Sequence, residues 1–172
     1  TGVTYWILHP DRDTSSRHER LSPPVWNVSG LQTSDGTLPR LLADAGYRTI
    51  HVGKAHFGAV GTPGADPTNV GFDVNVAGHA AGAPGSYLGV HGFAARGRRE
   101  DDRPSVWDVP GLETVHGSDV YLTDVLAQRA DEEIRAAVAA GSPFFLHFAP
   151  YAVHTPIMPH PERVGRYREL EP

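Results

Sequence analysis

Two helix–strand units, each followed at once by a polar loop that carries histidine, constrain this chain of 172 residues more than any other feature. In the first unit Thr37 caps a predicted helix with a regular apolar face, and Gly46 ends that helix. The apolar face consists of Leu38, Leu41, Leu42 and Ala45. Residues 47–52 are rich in β-formers and predict a strand, which Gly53 ends.

The second unit predicts the longest helix of the chain over residues 118–140, with Ser118 or Asp119 as its cap and Gly141 after its end. Its predicted apolar stripe consists of Leu122, Val125, Leu126, Ala130, Ile134, Ala137 and Val138. Residues 144–149 form a short, mostly apolar run. Such a run predicts a strand buried on both faces, as in a parallel sheet.

This order of elements predicts an α/β fold with a mostly parallel sheet. In open sheets of this kind, ligands bind outside the carboxyl ends of the strands. Lys54 and His56 follow the first predicted strand and His154 follows the second, so we expect all three side chains at one edge of the sheet. Two strands are too few for a stable sheet, which implies that partner strands are missing from this chain.

Residues 59–117 contain few convincing elements, and a loop region of that length in a compact domain is usually functional. Its histidines His79, His91 and His116 are candidates for lining a substrate pocket. The alternative for each is a hydrogen-bonded or surface histidine. His51 lies inside the first strand, where we expect it to be packed rather than catalytic.

Composition argues against several classes of protein. No stretch of about 18 apolar residues is present, so we expect no transmembrane helix and no membrane partner. The net charge of −5 weighs against a nucleic-acid partner, because proteins that bind nucleic acids are usually basic. The chain has no Cys, which excludes disulfide bonds, thiolate zinc sites and a thiol nucleophile within it.

Lys54 and His56 suit the chemistry of a bound oxyanion. The lysine ammonium is a compact point charge that can hold a tetrahedral anion and stabilise charge developing in a transition state. A histidine exchanges protons near neutral pH. In an extended segment, residues two apart point the same way, so both side chains can converge on one anion.

Several segments together resemble the sulfatase family. Residues 46–58, with their Gly-Tyr start and Gly-Lys-Ala-His core, resemble the second sequence signature of these enzymes. Residues 144–146 and the His-Thr-Pro loop at 151–156 resemble a later strand of the family and its histidine loop. Residues 71–79 and 113–117 are similar to a bacterial branch. The resemblance runs in the right order through residues 37–160.

The resemblance implies a fold, an activity and a role for each site residue. The fold would be an alkaline-phosphatase-like α/β/α sandwich, and the reaction the hydrolysis of a sulfate ester, plausibly on a carbohydrate or another sulfated small molecule. Lys54 would bind the sulfate, and His56 would be the base that breaks down a covalent sulfate intermediate. His154 would contact the ester oxygen and help to protonate the leaving alcohol. His79 is a further candidate for substrate binding, and a periplasmic or secreted enzyme is implied.

The chain also departs from the family pattern. The family's nucleophile is a formylglycine made from the first residue of Cys-x-Pro-x-Arg or its Ser version, and residues 22–24, Ser-Pro-Pro, lack the Arg. The family binds Ca²⁺ through an Asp pair and a later Asp-Asn pair, whereas Asp101-Asp102 comes after the lysine motif and is in the wrong order. We therefore assign no metal ligand here. We expect residues 1–172 to be a partial catalytic domain, cut at both ends and inactive alone.

Two alternatives stay open at this point. The first is a phosphodiesterase, phosphatase or phosphonate hydrolase of the same superfamily, which builds its site around two transition metals held by Asp and His. The second is a carbohydrate-binding module without catalysis, whose histidines are incidental. A Cys-x-Pro-x-Arg motif upstream would favour a sulfatase over the first alternative, and binding of sulfated sugars without turnover would suit the second.

Overall fold

A computed structural model of the protein describes residues 30–95, 105–167 and 170. Within these residues, two α-helices and three strands are joined by long segments that contain short turns of 3-10 helix. The elements in chain order are α1 (Leu38–Asp44), β1 (Arg48–Gly53), β2 (Val74–Val76), α2 (Leu122–Ala139) and β3 (Phe144–Ala149).

The three strands form one all-parallel sheet in the order β2–β1–β3. β1 pairs with β3 over its whole length, from Arg48 opposite Phe144 to Gly53 opposite Ala149. The predicted α/β fold with a parallel sheet is confirmed. β2 was not predicted, because its three residues are too few to give a recognisable sequence pattern, and it supplies one partner strand from within the chain.

α1 begins at the predicted cap, where the Thr37 hydroxyl accepts a hydrogen bond from the N–H of Arg40 at 3.4 Å. The prediction that its apolar face is buried is wrong for Leu38 and Leu41, which are 58% and 60% exposed. The helix has only seven residues, and its first turn lies against Gly71, where an added Cβ would clash with the backbone of Arg40. In so short a helix one close backbone approach decides which side is buried.

α2 begins later than predicted, at Leu122, and its N-cap is Tyr121 rather than Ser118 or Asp119. The residues before the helix are engaged elsewhere, because Tyr121 forms an antiparallel bridge with Leu88. This extended contact holds the backbone out of the helical conformation up to residue 121.

The apolar stripe of α2 packs on one face of the sheet. Its buried members are Leu122, Val125, Leu126, Ala130 and Ala137. They share a core with Ile50 and Val52 of β1, which are fully buried, and an ion pair of 2.7 Å joins Arg48 to Glu133 of the helix. The prediction is wrong for Val138, which is 65% exposed, because successive helical residues point about 100° apart.

The prediction that β3 is buried on both faces is also wrong. Most of its residues are half-buried, and Phe148 is 41% exposed. Among the described residues β3 is an edge strand with β1 on one side, whereas five of the six residues of the central β1 are buried. Position in the sheet, rather than apolar composition, decides the burial of these two strands.

The described part of residues 59–117 has only short elements, as expected, yet it contributes to the core. Tyr87, Phe93, Val109 and Leu112 of this region are buried together with the side chains of β1 and α2. The region is therefore a packed layer of irregular chain over the sheet and helix.

His51 packs within the sheet, as expected. Its ring centroid lies 5.2 Å from that of Phe72 and 5.5 Å from that of Phe57. Its Nε2 donates to the carbonyl of Gly53 at 3.0 Å, since a carbonyl can only accept. Nδ1 of the neutral ring therefore accepts from Nδ1 of His147, also at 3.0 Å.

This hydrogen-bond chain leaves no place for a second proton on His51. Burial lowers the pKa of His51 to about 4, the bond to Gly53 opposes that shift, and the charge of His147 adds to it. Burial lowers the pKa of His147 as well. The fold therefore requires the neutral form of His51.

We predict that the protein loses stability in mild acid because of His51. Histidine in an unfolded chain has a pKa near 6.5, whereas burial lowers the pKa of folded His51 to about 4. Its contribution to the free energy of unfolding is complete above about pH 6.5 and falls by roughly 3 kcal/mol as the pH drops to about 4. Denaturant titrations at several pH values across this range measure the loss.

The matched control is His51→Phe, which keeps an aromatic ring among Phe57 and Phe72 but does not titrate. Its free energy of unfolding should change less over the same pH range, because the other histidines are common to both proteins. Identical pH dependence in the two proteins would contradict the assignment to His51.

Candidate active site

The carboxyl ends of β1 and β3 meet at a close backbone contact. Gly53 has a φ of +103° and lies opposite Ala149, and a Cβ at this position would overlap the Ala149 carbonyl oxygen. The N–H of Lys54 donates to that same oxygen at 2.7 Å. The contact directs the chain from β1 into the loop that carries Lys54 and His56, beside the loop after β3 that carries His154.

His56 stands in this loop with an uncommon backbone conformation. Its φ is +61°, and its N–H donates to the carbonyl of His79 at 3.1 Å. The imidazole lies against Gly82, where a Cβ would come within 2.8 Å of Nδ1. Burial lowers the pKa of His56, and the charges of Lys54 and His154 lower it further. The structure thus brings both Lys54 and His154 within electrostatic reach of His56.

His79 lies directly beside His56. Asn75 shapes its loop by accepting from the N–H of Gly78 at 3.0 Å and donating to the Gly78 carbonyl at 2.9 Å. Burial lowers the pKa of His79 to about 4, and the charge of His56 adds to the shift. Its ring is therefore neutral near pH 7. Nε2 of His79 is buried and accepts or donates no hydrogen bond within the described residues.

His154 is the exposed member of the group. Its Nδ1 lies 3.1 Å from both the carbonyl and the hydroxyl oxygen of Thr155, the next residue in the loop. An Nδ1–H that donates to the carbonyl leaves Nε2 as the nitrogen for exchange with a bound molecule.

The other two histidines of the middle region make contacts of their own. Nδ1 of His91 lies 2.9 Å from the hydroxyl of the buried Ser86. The ring of His116 meets Phe93 edge-on at 5.9 Å. Neither contact involves the catalytic candidates, so we leave both histidines out of the candidate site.

Two residues of the site were not singled out from the sequence. Gly82 stands in a glycine-rich stretch, residues 78–85, and such a stretch is a signal for close approach between backbone and a neighbouring group. Asn75 carried no signal of its own, because an Asn that closes a turn is indistinguishable in sequence from any other loop Asn.

Carboxylates take no part in the described portion of this site. Among residues 30–95, 105–167 and 170, no group of three or more His, Cys, Asp or Glu side chains could hold a metal ion. Asp101-Asp102 and the Ser-Pro-Pro segment at 22–24 lie outside the described residues.

No helix in the described chain is long and apolar enough to cross a membrane.

Comparison with known proteins places this geometry in context. The family model for sulfatases matches residues 11–171. N-acetylgalactosamine-6-sulfatase of Canis lupus familiaris is 32% identical over 151 residues, which are 84% of this chain and 27% of that protein. The chain therefore spans about a quarter of the length of this relative.

Solved structures show the same architecture. The crystal structure of Ps i-CgsB matches with a TM-score of 0.60 and 27% identity, over 84% of this chain and 32% of that chain. Ps i-CgsB in complex with k-i-k-neocarrahexaose matches with a TM-score of 0.56 and 26% identity, over 83% and 32%. The likeness confirms the alkaline-phosphatase-like α/β fold.

We predict that Gly82→Ala raises the pKa of His56. The new methyl group would lie 2.8 Å from Nδ1 of the ring and displace the ring toward solvent. Burial is the largest cause of the lowered pKa, so greater exposure should return it toward its ordinary value of 6.5. NMR titration of the imidazole protons measures the change.

Gly36→Ala is the control, because nothing lies within 4 Å of a Cβ at Gly36. It should leave the pKa of His56 unchanged. An unchanged pKa in Gly82→Ala as well would show that His56 is not packed against this glycine.

Proposed function

The chain belongs to the sulfatase family, and we propose that the complete protein is a sulfuric ester hydrolase in which this segment supplies Lys54, His56 and His154. The observation that carries the proposal is that the loops after β1 and β3 start from paired strand ends and bring Lys54 and His154 close enough to His56 for their charges to lower its pKa. A fixed cation beside two imidazoles can hold a sulfate monoester and move protons around it.

Lys54 binds the sulfate group. Its backbone is held by the 2.7 Å hydrogen bond to Ala149, so its side chain starts from a defined point at the sheet edge. The ammonium group attracts the ester anion, and it favours the transition state where negative charge on the sulfate oxygens increases.

His56 is the base of the site. A general base must be unprotonated at the working pH, and burial together with the charges of Lys54 and His154 keeps the pKa of His56 low. The hydrogen bond from its N–H to His79 and the contact with Gly82 restrict the position of the ring.

His154 is the acid for the departing alcohol. Its ring is exposed, and its Nδ1 is engaged by Thr155, so Nε2 is the nitrogen that meets the ester oxygen. Proton donation matters most when the departing oxygen is strongly basic, as it is in a sugar alcohol.

We infer that the substrate is a sulfated carbohydrate. Two similar proteins support this inference. The dog enzyme is an N-acetylgalactosamine-6-sulfatase, and Ps i-CgsB has been crystallised in complex with k-i-k-neocarrahexaose. His79 suits substrate binding, because its neutral ring next to His56 can hydrogen-bond a sugar hydroxyl without adding charge. A periplasmic or secreted location follows from the family resemblance.

The Ca²⁺ and formylglycine implied by the family resemblance do not fit the residues at hand. Calcium takes six to eight oxygen ligands and prefers carboxylates, and the described residues hold no cluster that could bind a metal. The chain has no Cys, so it holds no formylglycine precursor of the Cys type. We assign both groups to other parts of the complete protein and derive no step through them.

The function is tested by sulfate release from the complete protein. We predict that it hydrolyses sulfate esters, and that Lys54→Ala lowers turnover by about 10²–10³-fold, as loss of one oxyanion contact does. Sulfate release is followed by ion chromatography with aryl and sugar sulfates. Matched phosphate esters test the phosphodiesterase and phosphatase alternatives.

Arg135→Ala is the control for loss of a cation elsewhere, because Arg135 is exposed and pairs with Asp131 on α2. It should retain full turnover. Faster hydrolysis of the phosphate esters would favour the alternatives, and binding of sulfated sugars without turnover would favour the binding module.

His56 and His154 should respond differently to the leaving group. We predict that His154→Ala loses most turnover with a sugar sulfate and least with a nitrophenyl sulfate, whose alcohol departs without help. His56→Ala should turn over both esters at the same low rate, because its role follows departure of the alcohol and the limiting step is then common to both. Single-turnover and steady-state kinetics on the two esters measure both patterns.

Equal losses for both esters in His154→Ala, with chemistry rate-limiting, would remove its role as the acid. Turnover close to that of the parent in both variants would place the active site elsewhere.

A further inference from the structure

The hydroxyl groups of three tyrosines donate hydrogen bonds to backbone carbonyls in the loops around the candidate active site. The hydroxyl of Tyr87 donates to the carbonyls of Tyr151 and His154, at 2.8 Å and 3.0 Å. Tyr151 donates to the carbonyl of Ala77 at 2.7 Å, at the start of the loop that carries His79. Tyr121 donates to the carbonyl of Met158 at 2.8 Å.

Tyr87 is itself held by the most regular part of the fold. It is 2% exposed, and its carbonyl accepts from the N–H of Leu122, the first residue of α2, at 2.8 Å. Its ring stacks on that of Tyr121 with 5.5 Å between centroids. The Tyr87 hydroxyl therefore has a position set by α2 and the core, not by the loop that it contacts.

The turn at residues 151–154, which carries His154, is also closed by a local hydrogen bond. The N–H of His154 donates to the carbonyl of Tyr151 at 3.0 Å, so Tyr87 binds both ends of that turn. The residues from 152 to 155 are exposed, and Val153 is 90% exposed. A turn with so few buried side chains depends on its backbone contacts for a fixed geometry.

The hydroxyl of Tyr87 is a permanent donor. Burial raises the pKa of Tyr87 to about 12, the charge of Tyr121 adds to the shift, and the bond to His154 opposes it. The phenol therefore stays protonated at any pH at which the protein would work.

We propose that Tyr87 is a positioning residue for the reaction: by holding the carbonyls of Tyr151 and His154, it sets the position of the His154 imidazole relative to Lys54 and His56. The inference rests on the proposed function, in which His154 protonates the departing alcohol. Tyr87 does not touch the substrate, and its effect passes entirely through His154.

The experiment compares Tyr87→Phe with the complete parent protein. Removing one hydroxyl should lower kcat about ten-fold with a sugar sulfate, the size of one lost hydrogen bond. With a nitrophenyl sulfate kcat should change little, and KM should change little with either ester. The double variant Tyr87→Phe/His154→Ala should be no slower than His154→Ala alone, because Tyr87 then has nothing left to position.

Two controls separate positioning from a general loss of stability. Tyr47→Phe removes the hydroxyl of an exposed tyrosine, and Ile50→Val weakens the buried core without removing a hydrogen bond. Neither should change the ratio of turnover between the two esters. Equal losses for both esters in Tyr87→Phe, an unchanged kcat, or an additional loss in the double variant would overturn the proposal.

Hydrogen exchange tests the positioning role without measuring activity. It therefore distinguishes failure of the positioning role from failure of the proposed function. Hydrogen exchange of the His154 N–H should be about ten-fold faster in Tyr87→Phe than in the parent, with exchange in α2 unchanged. A parent without sulfatase activity would overturn the proposed function only. Unchanged exchange at His154 would overturn the positioning role whatever the activity.

Discussion

Where β1 and β3 end side by side, Gly53 approaches the carbonyl of Ala149 so closely that no side chain fits between them, and the next N–H along the chain binds that carbonyl. This contact ends the ladder of the two strands at the same level. The loops that follow must then leave the sheet from adjacent points, which is why Lys54 and His154 both lie close to His56. A longer side chain at position 53 would separate the strands before any residue of the site could be placed.

Burial of imidazole rings governs the electrostatics around this contact. His51, His56 and His79 all have lowered pKa values, with burial as the first cause in each. A buried neutral ring can lie beside an ammonium group at little cost, whereas a second cation would be repelled. The fold thus places His56 beside Lys54 with a pKa that favours the neutral ring, so that like charges are avoided there.

The elements with long periodic patterns were predictable from the sequence, and those set by contacts over long distances were not. α2 and the pairing of two parallel strands follow from apolar spacing and from the loops that succeed them. The start of α2 was not predictable from that spacing, because the bridge from Tyr121 to Leu88 replaces the expected cap. The exposure of Phe148 was not predictable either, because the composition of a strand does not show whether it lies at the edge of the sheet.

The candidate site shows the same division. Lys54, His56 and His154 were found because they follow strands in a recognisable pattern, and their roles remain a proposal. The neighbouring position of His79 and the contact of Gly82 with His56 depend on how the irregular chain between β2 and α2 folds back over the sheet. The hydrogen bond of the Tyr87 hydroxyl could not be predicted for the same reason, since its partner His154 is 67 residues away along the chain.

The order of the strands has a consequence for how the protein is made. β1 lies beside β3, and the paired residues His51 and His147 are 96 positions apart in sequence. A chain that leaves the ribosome from its N-terminal side exposes β1 long before its neighbour exists, and closing so long a loop is slow. The lysine-bearing and histidine-bearing halves of the site therefore come together only once β3 has been made and has joined β1.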